Sequence, residues 1–377
     1  MLQILSWVLA LCAVGGGIDR LLGNKMGLGK PFEDGFRLLG PVALSMAGIL
    51  CLAPVLAGWL GAAVTPVYHL FSQDPGMFGC ILAIDMGGYP MAIRLADDPA
   101  VGRFAGIIGA AILGCTVSFT IPTGMGLFSG AVRERFARGI LYGLTALPPT
   151  LLLGGVLCGL PLLQALWLCA PVLVFSVLLM LALKFRPERT VRAFSLFAAG
   201  LKILTTAGLA LGAFQHMTGV ILLPGMLPLA DSMKTVAAIG IMMLGSLPLA
   251  ELLRRVLQRP LRALGRRTGL CSDGVAGLLL MYLSVLPGLT ALPELSPRGQ
   301  TVNAAFAVSA ASCLGAHLAF TLNAEPALAL PLLAVKLAGG LLGALIAWGM
   351  TRRDPAGQAQ DGSPCGAPSD AGHAAIR

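Results

Sequence analysis

Charge is what this sequence has least of. Only 11% of its 377 residues are Asp, Glu, Lys or Arg, where a soluble domain carries about 25%. With a mean hydropathy of +0.85, that scarcity excludes an ordinary soluble fold. Histidine is also sparse: the four residues stand far apart, and HExxH, GxSxG, a Walker-type phosphate loop and a strand-to-helix GxGxxG are all missing. The common metal, hydrolytic and nucleotide chemistries therefore lack their residues, and an enzyme, a cofactor and a metal site are not expected. CxxC is absent too. Eight of the nine cysteines are scattered singly, mostly within apolar runs, and read as small hydrophobes rather than a disulfide framework. The net charge of +9 does not imply nucleic acid, because the basic residues fall in short clusters with no contiguous basic face. No Lys or Arg precedes Arg20, so the first apolar segment is read as a retained helix rather than a cleaved signal.

What the chain does have is apolar length, interrupted by 49 glycines and 25 prolines. Both residues are tolerated in spanning helices, where neighbouring groups re-satisfy the freed backbone. Apolar segments lie near 4–22, 38–60, 76–95, 104–128, 137–160, 162–183, 193–214, 233–253, 270–292, 301–322 and 327–349. The fold class is therefore an all-α polytopic membrane bundle of nine to eleven segments. If all eleven crossed, the basic residues around Arg133–Arg138 would lie opposite those at Arg20–Arg37, against the positive-inside rule. If 76–95 and 270–292 enter and leave on one side, the clusters at 20–37, 133–138, 184–192, 254–267 and 352–353 all fall in the cytoplasm. That reading gives nine spans plus two broken segments; broken helices that still cross would give eleven. It also suggests an inverted repeat: residues 1–160 as a first half, 161–188 as a connector helix and 189–350 as a second half, aligning Pro54 with Pro248 and Arg138 with Lys336. Residues 351–377, rich in Gly, Pro, Ser and Asp, read as a disordered cytoplasmic tail.

The segment ILAIDMGGYP, residues 81–90, places Asp85 inside an apolar run. An ionised carboxylate at the bilayer centre costs at least about 2.5 kcal/mol. Gly87, Gly88 and Pro90 favour a helix break there, which exposes backbone carbonyls beside the carboxylate and suits a small hydrogen-bonding cation. Tyr89 would add a ring to such a site. In the other half, Ser284 precedes the breaker Pro287-Gly288, and Asn303, Ser309, Ser312, His317, Thr321 and Asn323 form a polar set in apolar surroundings. His317 and Asn323 are the stronger candidates, while the serines, with Ser309 and Ser312 on one helix face, read as packing residues. Glu251 is expected to pair with Arg254-Arg255, and Lys336 to snorkel to the surface.

Several stretches together resemble the ethanolamine utilisation permeases of bacteria: Phe32-Glu-Asp-Gly-Phe36, Asp85-Met-Gly-Gly-Tyr89, Phe119-Thr-Ile-Pro122, Asn303-Ala-Ala-Phe-Ala-Val-Ser-Ala-Ala311 with His317-Leu318, and Val335-Lys-Leu-Ala-Gly-Gly340. The resemblance runs in order from about Asp19 to Trp348. It implies a multi-pass inner-membrane carrier that brings ethanolamine to cytosolic degrading enzymes or their microcompartment, with membrane lipid as its surroundings and self-association left open. No ligand role for a residue comes with it. The chain departs from the family pattern at Ala316, where an acidic residue is expected, and at Ser284-Val-Leu-Pro287, where the pattern is Asn-Asn-Ile-Pro. The chemistry of ethanolamine suits the residues: Asp85 would meet its ammonium, with carbonyls at Gly87 and Gly88 and a cation–π contribution of about 0.5–2 kcal/mol from Tyr89. Ser284, Asn303 or Asn323 would meet its hydroxyl.

Overall fold

The computed structural model describes residues 2–80, 88–268 and 272–352. Asp85, Gly87 and the tail from residue 353 lie outside the described residues. Within them the chain is helical, with no strand. Eight helical stretches are long and apolar enough to cross a membrane, and a ninth joins two helices bent by 45°. In chain order these are α1 (Leu2–Leu21), α2 with α3 (Gly29–Arg37, Leu39–Leu70), a stretch from α5 (Pro99–Arg103) through π-helical turns at 104–120 to α6 (Ile121–Leu127), the bent pair α7 and α8 (Gly130–Thr145, Leu147–Leu157), α9 (Leu162–Phe185), α10 (Pro187–Thr218), α11 (Leu229–Thr268), a stretch from α14 (Pro297–Ala310) to α15 (Leu318–Ala324), and α16 (Ala329–Arg352). Between them lie two interrupted elements. The first has a 3₁₀ turn at Pro75–Cys80 and α4 (Gly88–Leu95); the second has α12 (Ser272–Leu283) and α13 (Val285–Ala291).

Both interrupted elements are hairpins whose open ends are tied shut. The Asp74 carboxylate accepts from the N–H of Gly76 at 2.7 Å, where the first hairpin begins, and from that of Asp98 at 2.9 Å, just past its end. Burial pushes this carboxyl's pKa up, against the backbone donors that pull it down. The two arms run back to back: a Cβ at Gly79 would sit 2.5 Å from that of Ala92, a distance only glycine permits. In the second hairpin the Asn303 amide donates to Gly274 O at 2.7 Å, near its start, and to Gly299 O. Gln300 donates to Pro293 O and Leu295 O, at its finish. One side chain thus joins both ends of the first hairpin, and two side chains a turn apart on α14 hold the two ends of the second. Each hairpin rests on the span that follows it, the first on residues 104–114 and the second on α14.

The helix ends sort themselves by charge. Arg255 donates to the carbonyls of Met26 and Gly27, Arg133 pairs with Glu188 at 3.7 Å, Arg135 bonds Gln300, and Arg298 bonds Trp348 O. Glu251 holds Arg254 and Arg255, each at 2.7 Å. These contacts bring the basic clusters to one end of the bundle. Loops poor in Lys and Arg meet elsewhere, where Trp167 donates to Ser72 O and Gln73 donates to Trp167 O.

One segment departs from the sequence reading. Residues 301–322 were expected to form an uninterrupted helix, but α14 stops at Ala310, and Ser312 adopts a left-handed conformation with φ 55° and ψ 28°. Ser309 and Ser312 therefore do not share a helical face. No proline marks this break. It is stabilised from outside, by the second hairpin, and local sequence carries no sign of that partner.

Candidate functional site

The bend of the second hairpin and the break after α14 are fitted to each other. Ser284, half-buried, has extended backbone (φ −155°, ψ 130°) between α12 and α13. Across from it, the Ser312 N–H donates to Met281 O, and Ser312 Oγ accepts from the Val285 N–H, both at 3.0 Å. Each interruption thus supplies the partners that the other's broken helix lacks. Replacing Ser312 tests this. Alanine and glycine both remove the acceptor of the Val285 N–H, a loss of about 1–3 kcal/mol. Alanine keeps the Cβ that serine already strains in the left-handed turn, whereas glycine relieves that strain and recovers part of the loss. Thermal unfolding in detergent should place Ser312→Gly between wild type and Ser312→Ala; an alanine variant as stable as the glycine one would show that the left-handed turn matters little.

A few residues past the break, His317 is 2% exposed and Lys336, on α16, 1%. The Lys336 ammonium donates to Ala111 O at 2.6 Å and lies 3.0 Å from His317 Nδ1. If the ammonium is charged, Nδ1 accepts and the imidazole proton sits on Nε2. Among the described residues no carboxylate forms an ion pair with Lys336. The expected snorkelling of Lys336 is therefore corrected: its side chain turns inward, bridging the π-helical span to the residues after the α14 break. Arg138, its counterpart in the repeat alignment, is exposed. Tyr282, next to the bend, donates to Leu333 O of α16 at 3.1 Å, one turn from Lys336.

The other sequence-derived residues fall into separate places. Gly88 is buried and begins α4. The Tyr89 hydroxyl donates to Glu325 Oε1 at 2.8 Å, and its ring meets Phe320 edge-on with centroids 5.8 Å apart, so the first hairpin's returning arm lies against α15. Asn323 is exposed near the end of that helix. Asn303 is fully buried, but its amide hydrogens tie the hairpin mouth, about 10 Å along α14 from the break. Ser284 and His317 are thus grouped at the breaks, Tyr89 and Asn323 at α15, and Asn303 apart. Lys336, Ser312 and Glu325 were missed as site residues. The available signal was Lys336 itself, a lysine 16 positions before the end of an apolar helix, too far to reach that surface.

A polytopic helical bundle with paired hairpins, interrupted spans and buried ionisable groups defines a membrane protein that encloses a few polar groups within an apolar core. The chain belongs to the family described as ethanolamine utilisation protein, EutH, whose model matches residues 1–350. It is 35% identical to the probable ethanolamine permease EutH of Listeria monocytogenes over 93% of this chain and 94% of that one. It is 34% identical to the probable ethanolamine permease EutH of Salmonella typhimurium, over 91% of each. An uncharacterized Bacillus subtilis protein, YxeR, is 37% identical over 93% of this chain and 95% of its own length. No solved structure matches. Family and fold together make this a multi-pass bacterial membrane protein.

Proposed function

We propose that the protein carries ethanolamine, in its protonated form, across the bacterial cytoplasmic membrane by facilitated diffusion. The observation that carries this reading is the second hairpin's bend, at Ser284, fitted to an interrupted span that buries the His317–Lys336 pair five residues past Ser312. Irregular backbone is stable at membrane depth only where it is buried in protein or lines a cavity, and such breaks are where transporters bind small polar solutes. The full-length relatives named as probable ethanolamine permeases supply the substrate.

In this reading the basic end of the bundle faces the cytoplasm. Residues 1–160 and 189–350 act as oppositely oriented halves around the connector 161–188, with one hairpin reaching inward from each side. Asp85 pairs with the substrate ammonium, and carbonyls at Gly87 and Gly88 take its remaining hydrogens. Tyr89 offers its ring, and Ser284 or His317 meets the hydroxyl. Asn323 lies toward the outer end of the path. Asn303 keeps the hairpin mouth closed rather than meeting substrate. The amine so delivered is consumed by cytosolic degrading enzymes.

Uptake of labelled ethanolamine into liposomes containing the purified protein tests this. Neutral ethanolamine crosses lipid unaided, and its fraction falls tenfold per pH unit below its pKa, so stimulation over empty liposomes should be largest on the acidic side. Flux should stop when the electrochemical potentials match. Accumulation beyond that point, abolished by collapsing a proton or sodium gradient, would replace facilitation with symport; no stimulation at any pH would remove the transport reading.

A further inference from the structure

A cleft of about 770 Å³ opens between α3, the end of the π-helical span with α6, and α10. It has no part in the site just described. Its lining includes Leu44, Phe119, Ser195, Lys202, Thr206 and Leu209. Phe119 and Pro122, both on its wall, belong to the Phe-Thr-Ile-Pro stretch that the transport site leaves unused. Lys202 is exposed, and among the described residues it joins no ion pair. An unpaired ammonium in a spanning helix needs an anion or water.

The cleft lies toward the basic end of the bundle. Helix α3 starts two residues after Arg37, α10 carries Arg189 and Arg192 in its first turns, and α6 ends shortly before Arg133 of α7. Helix α10 has 32 residues, about 48 Å, or some 18 Å more than the hydrocarbon core. Lys202 lies midway along α10, nine residues or about 14 Å past the start of the apolar run at 193, and its four-carbon stem carries the ammonium up the cleft toward the headgroup boundary. From Ser195 to Leu209 the cleft wall runs about 21 Å along α10. That length spans a headgroup and much of an acyl chain. Ser195 stands at the end of the wall nearer the basic residues and Lys202 midway along it; beyond Lys202 the hydroxyls of Thr205 and Thr206 are turned back onto the Lys202 carbonyl, and Leu209 carries the wall on as apolar surface.

We infer that this cleft is a binding site for an anionic phospholipid of the leaflet facing the basic end. The phosphate pairs with Lys202, the glycerol headgroup hydroxyls reach toward Ser195, and the acyl chains run past Thr206 along Phe119 and Leu209. A second protomer fits worse, since the cleft presents a lysine and no carboxylate to receive its copy. An ethanolamine headgroup also fits worse, because its ammonium finds no acid there. The bound lipid wedges between α3 with α10 on one side and the interrupted span on the other, which links lipid composition to the element bearing Ala111.

The test uses full-length purified protein stripped of lipid, then given phosphatidylglycerol or phosphatidylcholine. Native mass spectrometry should show retained phosphatidylglycerol adducts, and the thermal midpoint should rise with phosphatidylglycerol only. Lys202→Gln should weaken adduct retention about tenfold, the worth of one charge-assisted contact, while Lys30→Gln at the same end should not. Lys202→Arg keeps the charge and should keep the adduct; loss of the adduct in a folded Arg variant overturns the site. Equal retention of the two lipids, equal loss in the Lys202 and Lys30 variants, or a dimer mass free of lipid also overturns it.

Discussion

Replacing Asp85 with asparagine should abolish saturable ethanolamine uptake while leaving the amount of protein in the membrane unchanged. The substitution keeps size and shape, and it removes the charge whose insertion costs at least about 2.5 kcal/mol. A carboxylate retained against that cost is expected to meet a cation in the working protein. Losing one partner of a desolvated, hydrogen-bonded ion pair costs about 2–5 kcal/mol, so substrate affinity should fall by about 30-fold or more. Glu251, held by two arginines at a helix end, is the comparison. Its replacement by glutamine should change affinity far less. Uptake kinetics and membrane abundance, measured together for both variants, decide the matter: an Asp85→Asn protein with wild-type kinetics ends the assignment.

Lys336→Met should give the second large effect, with the opposite balance between stability and activity. The ammonium is buried against a carbonyl and an imidazole, and a buried charge without a counter-ion destabilises its own fold. Methionine fills similar length without that penalty. The variant should therefore fold at least as well as wild type by thermal unfolding in detergent, yet lose uptake by about tenfold or more, because intramembrane ionisable groups are kept for function. Lys336→Arg retains charge but brings a planar group with five donors to a pocket built around two acceptors, and should restore little. If methionine lowers stability and activity in parallel, Lys336 is a structural tie and has no part in transport.

Much of the bundle could be read from the sequence because its strongest signal is solvent-determined. Apolar length fixes spans, and Lys and Arg between them fix which ends belong together. The two hairpins were legible for the same reason: only by returning do 76–95 and 270–292 bring the basic clusters to a common end, and Asp74 and Asn303 supply the atoms that hold them so. What stayed hidden was tertiary in origin. Ser312 sits in a run without proline, and its left-handed turn is held by Met281 and Val285, some 30 residues earlier in the chain. The depth of Lys336 in α16 was legible, but its partners, Ala111 O and His317, come from two other spans and were not. For Asn303 the sequence placed a polar residue in a span but did not show that its amide hydrogens go to Gly274 O and Gly299 O.

The hairpins also set an order for biogenesis. The first packs on the segment that is synthesised after it: a Cβ at Gly106 would strike Tyr89 at 2.8 Å, and one at Gly109 would strike the Cys80 sulfur. Its closing bond, from Asp98 to Asp74, likewise needs residues that leave the ribosome later. The second hairpin depends in the same way on Asn303 and Ser312. When it emerges the first still lacks the span it packs on, and the second lacks the acceptor of its Val285 N–H as well. Each is completed only when the following helix arrives, so assembly of this chain runs one element behind synthesis at these two points.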